Sequence, residues 1–327
     1  MKRELSIDIC GFRKIREGNY YYVDKTRMIE DVIKTKNEIT LITRPHQFGK
    51  TTNLTMIQEF FDITKDSRSL FTGLTITDTP YVEQMNTRPV IYLPLRECIG
   101  KSVEEIEFKI AEQIAEEYEK YDVLFEQRKF NRNRSVYRRF YATHDMLDEM
   151  VLYGGDVNHD LLTGSLTCLM KALHTYYQKK PLLLIDEYDQ PLMSARRQGF
   201  RDKMRNFFRA LFGEACGENE SFKQAVITGS QGMEREKVFS KRRNISVCTI
   251  GNKLYAMHFG FTLDEVKELF AYYEIHVRIE DVYALYEGYT FGHHQQMYHP
   301  KSIFTFVRDM HAIWSGMMDL PKEKISS

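Results

Sequence analysis

The stretch Ile39 to Thr52, ITLITRPHQFGKTT, runs a short β-branched apolar segment into a turn and then into Gly49-Lys50-Thr51. Ile39-Thr40-Leu41-Ile42 has the length and composition of a buried central strand. From Lys50 onward, Leu54, Ile57, Phe60 and Phe61 recur at helical spacing, so the glycine turn opens a helix. Strand, loop and helix in that order make a cradle for nucleotide phosphates. Successive main-chain N–H groups of such a loop converge on one point, and the helix dipole adds partial positive charge there. Gly49 lets the backbone approach the phosphates closely. Lys50 is expected to reach the β- and γ-phosphates, Thr51 to offer its hydroxyl to Mg²⁺, and Thr52 to add a phosphate contact. The stretch departs from the full GxxxxGK[ST] pattern, because Arg44 stands five positions before Gly49.

A second segment supplies the complementary charge. Leu182-Leu183-Leu184-Ile185 precedes Asp186-Glu187, which places the acidic pair at the carboxyl end of a buried strand, the edge where open α/β sheets bind ligands. An unpartnered carboxylate there would cost several kcal/mol, so a metal or a strong partner is expected. Asp186 suits the magnesium shell, and Glu187 can orient and deprotonate an attacking water.

Composition narrows the setting. A chain of 327 residues, 43% hydrophobic and without long Gly, Ser or Pro tracts, is expected to fold around a large core. Lys and Arg balance Asp and Glu at 46 each, so no global field advertises a nucleic-acid or membrane partner. The cysteines, Cys10, Cys98, Cys168, Cys216 and Cys248, stand far apart and lack zinc-ligand or disulfide-framework spacing. The N-terminus has no apolar core for a signal peptide, and no run approaches the roughly 20 apolar residues of a membrane span. These features predict a soluble, cytoplasmic protein with reduced thiols.

Further strands are expected at Pro89–Leu93, Pro181–Ile185, Ala225–Thr228 and Ile245–Ile250, with helices through Met28, Ile29, Val32 and Ile33 and at Glu104–Tyr118, Leu161–Tyr177 and Phe207–Ala215. Helices alternating with short buried strands predict an α/β fold with a mostly parallel central sheet covered on both faces. The segment from about 100 to 160, where periodicity weakens beyond Tyr121, reads as a helical insertion. Beyond Phe259 the strands are expected to stop. Helical patterns at Leu263–Tyr273, Ile279–Tyr286 and Ser302–Trp314 then predict a small lid, dividing the chain into a nucleotide domain (1–258) and a helical subdomain (259–327).

The segments NYYYVDKT (19–26), LITRPHQFGKTTNL (41–54), RPVIYL (88–93), LLIDEYDQPL (183–192), ITGS (227–230), FGFTLDEV (259–266) and YEGYTFG (286–292) together resemble the bacterial AAA-ATPase-like family of P-loop NTPases. The resemblance implies ATP as the nucleotide. It also implies that Arg44-Pro45 replaces the first glycine of the usual loop, so that Arg44, Pro45 and Phe48 belong with Gly49, Lys50, Thr51 and Thr52 in the cofactor site. The same resemblance implies that Thr228 is a polar sensor of the γ-phosphate, a plain turn residue being the equal alternative, alongside Lys50 and Glu187 as catalytic groups. Asp24 and Lys25 border the adenine pocket, a helix cap being the equal alternative for Asp24. His46 and Gln47 stand where the family commonly has arginines, Gly232 where a basic residue is frequent, and Lys241-Arg242-Arg243 in place of a Gly-Leu-Asn-like run. These departures remove candidate γ-phosphate contacts. Relatives often carry a PD-(D/E)XK nuclease-like domain, and this chain ends shortly after the helical segment, so DNA cleavage by it is not expected.

The implied activity is hydrolysis of Mg-ATP driving a conformational or assembly switch. The alternative is a nucleotide-binding interaction module with little turnover, nucleic-acid-associated or defence-related, and a homo-oligomer stays open. Arg235, Lys237, Arg242 and Arg243 are candidate arginine fingers, each against a solvated surface role. Basic residues from Arg128 to Arg139, interleaved with Phe130, Tyr137, Phe140 and Tyr141, could hold single-stranded nucleic acid; a solvated helical insertion is the plainer reading. His293, His294 and His299 lack the companions of a metal site.

Overall fold

The computed structural model describes residues 2–125, 134–154, 158–217, 219–230, 244–277, 288–292 and 295–314. Its centre is a sheet of β1 (Ile39–Thr43), β2 (Val90–Pro94), β3 (Leu182–Asp186), β4 (Gln224–Gly229) and β5 (Ile245–Cys248), all parallel, in the order β2-β3-β4-β1-β5. The expected strands therefore form, in a parallel sheet covered by helices. The chain leaves β1 for the far edge and returns, so the order reverses beside β1, and a crevice opens past its carboxyl end.

Side chains alternate between two cores, as the strand period requires. Ile42, Val90, Leu184 and Val226 pack with α1 (Phe12–Glu17), α2 (Arg27–Lys34), α3 (Lys50–Phe61) and the short α4 (Arg68–Phe71). Leu41, Ile91, Ile185 and Ile227 face the opposite core, built from α5 (Val103–Glu119), α6 (Arg134–Tyr153), α7 (His159–Tyr177), α8 (Gln190–Gln198) and α9 (Arg201–Cys216). The free edge of β2 is sealed by side chains at the end of α5. Tyr121 Oη accepts from Val90 N and donates to Val90 O, both at 2.8 Å, and Lys120 Nζ donates to the same carbonyl at 2.6 Å.

A third core joins α10 (Leu263–Tyr273) and the helix α11 (Pro300–Trp314) to the N-terminal residues Leu5, Ile7, Tyr21 and Val23. A capping box starts α10: Thr262 Oγ1 accepts from Glu265 N, and Glu265 Oε2 accepts from Thr262 N. The expectation that strands end at Phe259 is corrected here. β6 (Tyr289–Phe291) and β7 (Gln295–Met297) form an antiparallel hairpin, and Phe261 bridges to Tyr298. Strands of three residues are too short to show alternation in sequence. The helix expected at 279–286 lies outside the described residues, as do the candidate fingers Arg235, Lys237, Arg242 and Arg243, the basic residues Arg128, Lys129 and Arg132, and His293 and His294. Among the described residues no helix is long and apolar enough to cross a membrane.

Candidate nucleotide site

The loop between β1 and α3 is shaped by left-handed residues. Gln47 has φ 61° and Gly49 φ 84°. At Gly49 the backbone angle requires glycine, and a Cβ there would meet no protein atom within 4 Å. The space beside it is open to a ligand. The first turn of α3 carries no acidic side chain to occupy its N–H groups, which leaves them for an anion. Lys50 is 4% exposed, and its ammonium donates to two neutral groups of its own loop, the carbonyls of Arg44 (3.2 Å) and Pro45 (3.0 Å). Burial lowers its pKa, outweighing the pull of Glu187, Asp186 and Asp189. A buried ammonium on carbonyls alone is poorly compensated and suited to an incoming phosphate.

Across the crevice, Asp186 ends β3. Thr51 Oγ1 donates to its Oδ2 at 2.5 Å and Thr228 Oγ1 to its Oδ1 at 2.5 Å. The sheet order explains this meeting: β4 lies between β1 and β3, so Thr228 stands between the phosphate loop and the acidic strand. Glu187 takes the left-handed conformation, φ 51°, unusual for a non-glycine residue and characteristic of functional sites. Its N–H donates to Thr228 Oγ1 at 3.3 Å, and burial raises its carboxyl pKa. Asp189 accepts from Ser230 N at 2.8 Å and from the Ser230 hydroxyl, tying the β3 and β4 loops together.

A cavity of about 540 Å³ extends from this point, a size typical of small-molecule sites. Gly49, Lys50, Thr51, Thr52 and Glu187 line one end. Ile7, Ile9, Tyr21 and Val23 of the N-terminal segment, with Phe261 and Phe304 of the C-terminal region, line the other. The lining thus combines polar groups at a helix N-terminus with apolar and aromatic side chains, among which Asp8, Lys25 and Lys301 also stand.

These features meet an independent comparison. The model of the family described as predicted AAA-ATPase matches residues 6–239. The chain belongs to this predicted AAA-ATPase family. A protein of Azotobacter chroococcum mcd 1, named "Uncharacterized protein in vnfD 5'region", is 24% identical over 272 residues, which are 83% of this chain and 45% of that protein. The chain thus spans under half the length of this relative.

The AAA-ATPase-like fold gathers most of the expected site residues and sends three elsewhere. Lys50, Thr51, Asp186, Glu187 and Thr228 converge as described, and Thr52 and Phe48 line the cavity. Arg44 does not point there. It is fully buried, its Nη1 donating to Thr43 O (2.8 Å) and Cys248 O (2.9 Å) and its guanidinium lying over the Phe259 and Phe291 rings. Pro45 presents its carbonyl to Lys50 and does not line the cavity. Asp24 is a structural brace: Oδ1 accepts from Thr26 N and Oγ1, and Oδ2 from Thr75 N and Oγ1. Its neighbour Lys25 does line the cavity, held by Glu265 at 2.6 Å and Met257 O at 2.8 Å.

Other cavity residues escaped the sequence reading. Arg96, just past β2, lines the cavity with its Nε 4.0 Å from Glu187 Oε2. Only the register of β2 against β3 brings them together, and that register is invisible in sequence. Of the basic and aromatic residues on α6, Arg134, Arg138 and Arg139 are exposed, whereas Phe140 is buried and stacked on Tyr118 at 5.0 Å. Phe140 is therefore core, not a platform for a base. His299 Nδ1 lies 3.1 Å from Ser302 Oγ at the start of α11.

Proposed function

We propose that this chain binds Mg-ATP in the cavity above β1 and β3 and hydrolyses it, using the energy to move its C-terminal lid. The observation that carries the reading is the buried Lys50 ammonium, resting on loop carbonyls at a helix N-terminus and facing the Thr51–Asp186–Thr228 cluster. In this reading Lys50 and the first-turn amides hold the phosphates, and Thr51 and Asp186 would hold Mg²⁺, which would supply charge to offset that of the phosphates. The donor set fits that ion, which ordinarily takes one or two protein ligands and fills its shell with water and phosphate. Glu187, whose carboxyl pKa is raised by burial, accepts a proton from the attacking water. Thr228 holds Asp186 and the Glu187 main chain in register for that step.

The apolar end of the cavity takes the base. Because Phe261, Phe304 and Lys301 line it from the C-terminal side, nucleotide contacts there would draw the region from 259 onward against the nucleotide domain. The experiment is nucleotide binding and ATP turnover for the intact chain, Lys50→Ala and Glu187→Gln. The reading expects Lys50→Ala to lose binding, and Glu187→Gln to keep binding while turnover falls at least a hundredfold. Equal background turnover in the intact chain and Glu187→Gln would leave a binding module without hydrolysis; no binding by the intact chain would end the nucleotide reading.

A further inference from the structure

Lys25 is tied to two parts of the molecule at once. Its main chain is fixed beside the start of α2. On one flank Asp24 Oδ2 accepts from Thr75 N at 2.7 Å and from Thr75 Oγ1 at 2.8 Å, and on the other Thr26 Oγ1 accepts from Ile76 N at 3.2 Å. Its ammonium is fixed to the C-terminal side instead. It donates to Glu265 Oε1 at 2.6 Å, to Glu265 Oε2 at 2.7 Å and to Met257 O at 2.8 Å, partners 240 and 232 residues further along the chain.

Glu265 has a second task. It stands in the first turn of α10, where its Oε2 also accepts from Thr262 N at 2.7 Å and closes the capping box. A carboxylate committed both to a helix start and to Lys25 cannot leave Lys25 without shifting the first turn of α10. That helix packs with α11 and with the N-terminal residues Leu5 and Ile7. Such a shift would therefore reach Phe304 on α11 and Ile7, both in the cavity wall. The pair itself borders the same space: Lys25 lines the cavity, and so do His258, Gly260 and Phe261, which lie in the chain between its anchors Met257 and Glu265.

The Lys25 side chain is 7% exposed and that of Glu265 21%. An ion pair shielded to this degree is strong at contact and leaves a poorly solvated charge when pulled apart, so it favours two discrete arrangements over a gradual one. We propose that the Lys25–Glu265 pair is the link through which occupancy of the cavity sets the position of α10. This role rests on the nucleotide reading above for the identity of the ligand, and adds to it the bond that couples the two sides of the site. The coupling is reciprocal: by whatever factor nucleotide favours docking of α10, docking of α10 raises nucleotide affinity.

The test combines Mg-ATP titration with hydrogen exchange across Leu263–Tyr273 in the intact chain, Lys25→Met, Glu265→Gln and the double variant. Glutamine serves a capping box as glutamate does, so Glu265→Gln keeps the start of α10 and removes the charge. In the intact chain, saturating Mg-ATP should slow exchange in α10 about fivefold or more. Each single variant should bind roughly 5- to 150-fold more weakly, the usual span of a coupling between sites, and at saturation its α10 exchange should no longer respond to nucleotide. The double variant should bind no more weakly than the weaker single one, because both substitutions remove the same bond. Additive losses of affinity, or an α10 response in Glu265→Gln equal to that of the intact chain, would reduce the pair to a structural contact. If Lys25→Met does not fold, the α10 response of Glu265→Gln decides alone. An intact chain that binds Mg-ATP with no change in α10 would end the coupling and leave the nucleotide reading standing. An intact chain that binds no Mg-ATP would overturn the nucleotide reading first, and this role with it.

Discussion

The Arg44 guanidinium lies 5.1 Å from the centroid of the Phe291 ring, inside the protein and outside the lining of the cavity. The first residue of the loop thereby grips the β6–β7 hairpin. Phe48 reinforces the same contact, its ring 5.4 Å from Phe291 and 5.0 Å from Tyr289, with its carbonyl accepting from Gly260 N at 3.1 Å. The loop thus has amides and Lys50 toward the cavity and Arg44 toward the C-terminal region, while Phe48 both lines the cavity and packs on the hairpin.

Arg44 should accordingly matter for stability more than for affinity. Lysine cannot both donate to Thr43 O and Cys248 O and lie flat over two rings, so Arg44→Lys should lower stability by roughly 1–3 kcal/mol. Burial, which already holds the Arg44 pKa down to about 10, offsets part of what the stacking contributes. Urea denaturation checks the loss, and nucleotide titration below the melting range should show affinity within about twofold of the intact chain. A large loss of affinity with unchanged stability would return Arg44 to the phosphate site.

Gly260→Ala should be severe. Gly260 has φ 83°, and a Cβ there would stand 2.8 Å from the Phe48 ring and 2.9 Å from Tyr298 O. The ring is enclosed by Phe291, Tyr289 and His299 and has little room to retreat. Strain plus overpacking predicts a loss of about 2–4 kcal/mol, read as a lowered melting temperature. Because the displaced ring belongs to the phosphate loop, nucleotide affinity should fall as well. A variant that melts like the intact chain would show that this contact does not bind the two regions.

Much of this was legible from local pattern. The 3.6-residue rhythm after Lys50 and the four apolar residues before Asp186 each specify an element and the end at which the polar groups emerge. The directions of Arg44 and Asp24 were not legible, because a side chain's partner is set by tertiary packing: Cys248 lies 204 residues beyond Arg44, and Thr75 lies 51 beyond Asp24. Arg96 was missed for a related reason: it meets Glu187 only because β2 pairs with β3, and a strand's neighbour is a property of topology.

Thr228→Val tests the centre of the acidic cluster. The substitution preserves shape and removes the hydroxyl that donates to Asp186 Oδ1 and accepts from Glu187 N. Leaving both groups short of a partner should cost about 1–3 kcal/mol of stability. Turnover should fall further than nucleotide affinity, because the hydroxyl sets the position of Glu187 as well as that of Asp186. Turnover assays at saturating nucleotide, beside binding titrations, separate the two effects; an equal drop in both would make Thr228 a binding residue only.

Glu117 gives the chain a pH-dependent stability. It is buried at the edge of β2, and burial pushes its carboxyl pKa from 4.5 up to about 7 even though Lys120 is 3.2 Å away. Lys120 cannot cancel the cost, because its ammonium also serves Asp62 at 2.8 Å and Val90 O at 2.6 Å, and the Asp62 charge itself opposes ionisation of Glu117. Between pH 4.5 and 7 the folded state therefore binds this proton more tightly than the unfolded state does. Stability contributed by the protonated form is lost as pH rises through that window, by roughly 3 kcal/mol at most. Glu117→Gln keeps the size and polarity of the side chain and removes the titration. Urea midpoints of the intact chain and Glu117→Gln, measured at pH 5 and pH 8, should diverge toward the higher pH, with the variant the more resistant there. Parallel pH profiles for the two proteins would show that Lys120 compensates Glu117 fully, and that the edge of β2 carries no titrating group in this range.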